Sequence, residues 1–285
     1  MLYLSLAVIC SVLVSVLLKV AGRRQLDVPQ MVTWNYLVAA TLTAVVLRPP
    51  LDALRAPHAP WLSLLALAVV LPSIFLVLGR AVAVAGIVRS DVAQRLSLLL
   101  SLAAAFLFFG QTATPWKLAG LGLGLLAMVA ISLRPRGPAV ASSPGGWGWL
   151  LAVWAGFAVV DVLLKQVALS GTPSMAAVLA SFSVAFVLML ALQLWRHASG
   201  RSRLAWRNLG AGALLGLLNG GNILFYVHAH QSMPDNPATV FAGMNIGVVV
   251  LGALVGVFAF GEATTRWNRA GLALAVLAIG LIGWG

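Results

Sequence analysis

Phe109-Gly110-Gln111-Thr112-Ala113-Thr114-Pro115-Trp116-Lys117-Leu118-Ala119-Gly120-Leu121 aligns without a gap on Phe260-Gly261-Glu262-Ala263-Thr264-Thr265-Arg266-Trp267-Asn268-Arg269-Ala270-Gly271-Leu272. Seven of the thirteen positions are identical. Near the start of each half, Val16-Leu17-Leu18-Lys19 matches Val162-Leu163-Leu164-Lys165. The chain is therefore one unit written twice, and self-similarity of this kind decides architecture before any single motif does.

Between these landmarks the apolar residues gather into segments of about 20, the length a helix needs to cross a hydrocarbon core of about 30 Å. Spans are expected near 2–20, 28–47, 60–80, 90–110, 115–133, 147–169, 172–195, 208–230, 236–260 and 266–284. The fold class is all-α, a polytopic membrane protein of ten transmembrane helices. Residues 1–136 form the first five-helix repeat, 137–146 a linker and 147–285 the second repeat. An odd number of spans per copy makes the second copy enter the membrane from the opposite side, an inverted repeat of the kind alternating-access carriers use.

The composition agrees. Of 285 residues 61% are hydrophobic and only 8% charged, too few ionic groups to solvate a globular surface, so a soluble enzyme is excluded. The net charge of +12 would point to nucleic acid in a soluble domain. In these short loops it reads as topology signal and contact with anionic lipids, and no nucleic acid partner is expected. Cys10 stands alone and packs in an apolar run. No nucleophile elbow, phosphate loop or zinc-protease pattern is present, so neither enzyme activity nor a cofactor is expected. His228 and His230 are two apart on a helix, so their side chains diverge, which argues against a metal site. The predominance of arginine over lysine, with much Ala, Gly and Leu, suits a bacterial chain in the inner membrane.

The Phe-Gly-(Glu/Gln) endings of spans four and nine, the short hairpins after them, the Ala-Gly-Leu starts of spans five and ten, and the five-plus-five arrangement resemble the ten-helix, EamA-type branch of the drug/metabolite transporter superfamily. The resemblance implies secondary transport, commonly export, of amino acids, small metabolites or drugs through a cavity between the halves. The sequence departs from the usual pattern at Gln111, where many members carry Glu, and at Arg95 and Asn245, near where many carry Pro.

Midplane sites in such folds are flagged by Gly- or Pro-interrupted spans at corresponding positions. Leu71-Pro72-Ser73 in span three corresponds to Asn219-Gly220-Gly221-Asn222 in span eight. Span eight is therefore expected to be broken at its centre. Asn35, Trp154, Tyr226 and Asn245 add the aromatic and amide groups that a small polar ligand needs. Ionisable groups inside spans are the sharper clue, because they are costly there and usually serve a pathway. Arg95 lies in span four. Asp161 and Lys165 lie four apart on one face of span six, as an ion pair and candidate proton-coupling site, and Lys19 is the repeat mate of Lys165. Two of these three basic groups in the cavity would favour a carboxylate or phosphate ligand. Glu262 is read as part of a hairpin cap, and the Gly-x-x-x-Gly pairs at 120, 216, 243 and 252 as close-packing surfaces.

The expected function is secondary active transport, in the direction of export, of a small polar or anionic metabolite such as an amino acid. The expected partners are a small-molecule substrate, a proton or counter-substrate, and membrane lipids, in a monomer or homodimer. The alternatives are a translocase for a lipid-linked or amphipathic substrate or a drug, and a non-transporting accessory subunit. Twelve arginines fall in loops after odd-numbered spans against Arg48, Arg55 and Lys117 after even-numbered ones, which places the odd loops in the cytoplasm and both termini outside. The family resemblance implies both termini inside.

Overall fold

The structure, a computed structural model, describes residues 1–55, 59–108, 114–132, 146–233 and 237–284. Gln111, most of the 137–146 linker and part of the first Phe109 motif lie outside the described residues. The helices are α1 (Leu2–Arg23), α2 (Val28–Leu42, continued by a π-turn over Thr43–Leu47), α3 (Trp61–Ala85), α4 (Ile87–Arg95), α5 (Ser97–Phe108), α6 (Pro115–Ser132), α7 (Gly146–Leu169), α8 (Ser174–Ala198), α9 (Trp206–Ser232), α10 (Pro237–Phe258) and α11 (Arg266–Trp284). Eight of the spans they form are individually long and apolar enough to cross a membrane. The 18-residue α6 lies along α11, and α4 with α5 completes the fourth crossing, giving ten spans.

Several positions of the repeated motif that lie in the described residues have a local physical role. Gly261 ends α10 in the left-handed region, φ +65°, where a Cβ would be strained, and its N–H reaches Val257 O at 3.1 Å. Thr265 Oγ1 accepts from Asn268 N at 3.0 Å and Asn268 Oδ1 from Thr265 N at 3.0 Å, a reciprocal cap on α11. Thr114 Oγ1 accepts Lys117 N at 3.3 Å at the start of α6, with Pro115 in the first helical position. Beyond the caps, a Cβ on Gly120 would meet Ile282 at 2.6 Å, which is why α6 and α11 need a small residue there.

The helices pair as a two-fold relation between the repeats requires. α1 packs on α9 as α7 packs on α3, while α2 with α8, α4 with α10 and α6 with α11 are pairs that the relation maps onto themselves. The match is incomplete: α1 packs on α3 and α4, and α2 on α3, whereas among the described residues α7 makes no comparable packing with α9 or α10, nor α8 with α9. The α1–α3 contact lies at the end of the bundle that holds Arg23, Arg80 and Arg196, where Gly22 approaches Ala83 and the Lys19 amine reaches Val82 O. Among the described residues, the packing of α1 on α3 thus gathers at the arginine-rich end.

The expected break in span eight is corrected by this arrangement. α9 runs unbroken from Trp206 to Ser232, and α3 runs through Pro72. Gly212, Gly216 and Gly220 form one stripe on α9 whose added Cβ atoms would meet Met31 O at 2.6 Å, Asn35 O at 2.8 Å and Leu42 Cδ1 at 2.8 Å. The glycines are there so that α2 can lie against α9 backbone, and close packing holds the helix intact. Gly216→Leu is expected to push α2 away and to cost more than the roughly 1–3 kcal/mol of ordinary overpacking, because the obstacle is a backbone oxygen. Circular dichroism melting of purified Gly216→Leu and Gly210→Leu checks it, since a Cβ at Gly210 meets nothing within 4 Å.

Candidate functional site

Span four carries a one-residue irregularity at Leu96, whose dihedrals stay helical (φ −74°, ψ −4°) and whose N–H still reaches Val92 O at 2.9 Å. α4 ends at Arg95, Leu96 forms a turn, and α5 begins at Ser97. At about 1.5 Å per residue the nine residues of α4 carry this turn about 13 Å into the layer, near the midplane. Side chains bond the carbonyls at the turn. Trp154 Nε1 on α7 donates to Leu96 O at 2.8 Å, and Ser97 Oγ donates to Gln94 O at 2.7 Å. Trp154, expected to bind substrate, thus holds this turn.

Just before the turn, α4 and α1 face each other as a polar ladder. Ser11 and Ser15 are four apart on α1, Asp91 and Arg95 four apart on α4, so each pair shares a helix face. Arg95 Nη2 donates to Ser11 Oγ at 2.6 Å, and Ser15 Oγ donates to Asp91 Oδ1 at 2.5 Å. On the other side of the turn, Ser101 Oγ donates to Asp161 Oδ2 at 2.7 Å. Arg95 lies within electrostatic reach of Asp91, Tyr226 and Asp161 together. Its Nε is buried and makes no hydrogen bond within the chain. A guanidinium with an uncommitted donor, set between two carboxylates and a phenol, can engage a ligand carboxylate.

Of the expected residues, Arg95, Asp161 and Tyr226 come together at this point. Asn222 is one turn before Tyr226 on the same side of α9, with its buried Oδ1 unbonded within the chain. Lys165 is half-buried one turn beyond Asp161 on the same face of α7. Asn219 and Asn35 do not join the group: Asn219 Nδ2 donates to Asn35 Oδ1 at 3.3 Å, an amide clasp between α9 and α2. Asn245 Nδ2 donates to Phe241 O of its own helix at 2.9 Å. His228 stacks with Tyr3 and His230 meets the Tyr226 ring edge-on. The sequence reading passed over Asp91, Ser11, Ser15 and Ser101. The four-residue spacing of Asp91 to Arg95 was the available signal.

Two ion pairs lie at the arginine-rich end, and both join the first half of the chain to the second. The Glu262 side chain, expected to cap its hairpin, reaches α1 and α4. Its carboxylate pairs with Lys19 Nζ at 3.1 Å and accepts the Ile87 and Val88 N–H groups at 2.6 and 3.1 Å, at the positive N-terminus of α4. Gly86, φ +92°, makes room, since a Cβ there would overlap the carboxylate. The second pair is Arg196 to Asp27, at 2.9 and 3.1 Å. Asp27 also accepts Ser202 Oγ at 2.6 Å and caps α2 through Gln30 N at 3.2 Å. Burial alone would raise the Asp27 carboxyl, but the hydrogen bonds from Arg196 and Ser202 outweigh it and hold it below the ordinary 3.8. A lowered folded value means that this stabilisation is present above pH 3.8 and is lost as pH falls through the lowered value. The melting temperature is expected to fall on acidification below about pH 4 less steeply in Asp27→Asn than in the wild type.

Comparisons with known proteins give the family and the fold. The profile of the EamA-like transporter family matches residues 1–133. An uncharacterized protein of Haemophilus influenzae is 39% identical over 281 residues, covering 96% of this chain and 94% of its own. The chain belongs to the EamA-like transporter family. Its membership makes it a multi-pass membrane protein of a transporter family, with a bacterial relative. A crystal structure of another protein superposes on this EamA-like chain with a TM-score of 0.59 at 19% identity, covering 98% of this chain and 95% of the other. At that identity the likeness is one of fold.

Proposed function

We propose that this EamA-like protein is a secondary transporter that moves a small amino-acid-like zwitterion by alternating access, with the substrate carboxylate on Arg95 and its ammonium on Asp161. The observation that carries the reading is the buried Arg95 guanidinium, with a donor that bonds nothing among the described residues, beside the irregular turn at Leu96 of the fourth span. A net anion was expected only if two basic groups shared the cavity. Lys19 is committed to Glu262 at the arginine-rich end and Lys165 stands a helical turn beyond Asp161, leaving Arg95 as the cation among Asp91, Asp161 and Tyr226. One cation among two carboxylates suits a zwitterion better than an anion.

Counterflow of a labelled mixture of amino acids in proteoliposomes tests this. Unlabelled amino acids should compete, while the matching deaminated acids and decarboxylated amines should not. Equal competition by simple carboxylates sinks the zwitterion reading. A second reading, movement of an amphipathic or lipid-linked substrate, has one observation in its favour. An apolar cavity of about 530 Å³ lies among α6, α10 and α11, lined by Trp116, Ile246, Val276 and Trp284. Lipid-scrambling activity in the same vesicles, without amino acid counterflow, would select it.

For orientation, the reading follows the loop charges: the arginine-rich end faces the cytoplasm. A cysteine at exposed Ser199, in a Cys10→Ala background, should resist an impermeant thiol reagent on intact cells and react after lysis. Labelling on intact cells would reverse the orientation.

A further inference from the structure

Asp91 is 1% exposed, one helical turn from Arg95 toward the arginine-rich end, and the binding reading above gives it no contact with the substrate. One oxygen, Oδ1, takes the Ser15 hydroxyl hydrogen at 2.5 Å. The other, Oδ2, is buried without a hydrogen bond in the chain and lies against α10 at Gly252, where any Cβ would overlap it. A charged carboxylate with a bare oxygen in such a place is costly, and protonation at that oxygen removes the charge. One turn along α10, Gly256 faces Val88 and the Glu262 carboxylate, so a glycine-lined seam between α4 and α10 joins Asp91 to the arginine-rich end.

Among the described residues, the charged groups around Asp91 are few; Arg89, two residues before it on α4, turns back so that its Nε donates to Ala85 O at 2.8 Å. Arg95 follows it on α4, and Glu262 approaches from the turn after α10 with Lys19 of α1 bound to it. Asp161 of α7 lies on the far side of Arg95. Arg80 of α3 is exposed, and Lys117 begins α6 at the opposite end of the bundle. Arg95 is therefore the cation that compensates Asp91.

We infer that Asp91 carries the coupling proton of this transporter and that it acts through Arg95. The inference rests on the assignment of Arg95 to a substrate carboxylate. When that carboxylate engages the guanidinium, Arg95 no longer neutralises Asp91, and Oδ2 takes a proton from water at one end, forming one O–H bond. When the substrate leaves, the guanidinium charge acts on Asp91 again. The proton then returns to water at the other end, with Ser15 still donating to Oδ1. Substrate and proton occupy the protein together, which is the sign of co-transport, whereas exchange would require them to exclude one another. An inward proton gradient then drives uptake.

Two measurements test this, one of which needs no substrate. Infrared difference spectra of the purified protein between pH 5 and pH 8 should show a carboxylic-acid carbonyl band that is lost in Asp91→Asn and shifted in Ser15→Ala. In proteoliposomes, Asp91→Asn should lose at least tenfold of the acceleration that an inward proton gradient gives, measured as the ratio of uptake with and without the gradient in the same variant, with Ser15→Ala in between. A titrating band that survives in Asp91→Asn, or gradient-driven uptake that survives, overturns the proposal, as does wild-type uptake driven by an outward gradient. If the wild type shows no amino acid counterflow, the zwitterion reading falls, and the infrared band alone decides the role of Asp91.

Discussion

Arg95→Ala should reduce amino acid counterflow by roughly two orders of magnitude or more, and Arg95→Lys should recover little of it. The guanidinium bonds Ser11 through Nη2, leaves Nε for a ligand and stands within reach of Asp91 and Asp161. A lysine ammonium is a point charge on a flexible stem and cannot serve Ser11 and a ligand carboxylate in fixed directions at once. Removing one member of a buried charge set costs about 3–5 kcal/mol, because the partners are left uncompensated. Part of that cost falls on folding, so activity is to be read beside melting temperature. A purely structural arginine predicts that Arg95→Ala melts early and that Arg95→Ala with Asp161→Asn recovers stability and counterflow together. A binding arginine predicts recovery of stability alone. A double variant that transports at the wild-type rate would remove Arg95 from the site.

Locking the arginine-rich end should stop transport altogether. Asp27 precedes α2 and Ser202 lies in the loop before α9, and they meet at 2.6 Å across the two halves. In a Cys10→Ala background, cysteines at 27 and 202 bridged by a short bifunctional thiol reagent should hold that end shut. Counterflow is expected to fall at least tenfold on bridging and to return when a reductant cleaves the bridge. Alternating access requires this end to part once per cycle, and the ion pairs of Asp27 with Arg196 and of Lys19 with Glu262 are the contacts that must break. A bridged protein with undiminished counterflow would show that this end does not move.

The sequence by itself determined the elements and their grammar. Segment length fixed the ten spans, because a helix must satisfy its own backbone across hydrocarbon. The Phe-Gly-Glu ending and the threonine that follows fixed where spans nine and ten stop and start, since Gly261 and Thr265 act on groups within a few residues of themselves. Arg95, Asp161 and Tyr226 could be picked out because polar groups are costly inside a span, whatever their neighbours turn out to be. Which groups they meet was decided only by the tertiary structure. Glu262 bonds Ile87 N, 175 residues earlier, and the indole of Trp154 reaches Leu96 O from 58 residues away. Asn219 to Asn222 and Leu96 differ in the same respect. Local sequence made the Gly-Gly segment the weaker helix, but α2 packs into its glycine stripe and supports it, while at Leu96 a neighbouring helix supplies a donor to the irregular turn. Helix-forming hydrogen bonds span four residues and can be read along the chain. Partners between spans depend on the rotation and register at which packed helices settle, and those are set by all the side chains of the bundle together.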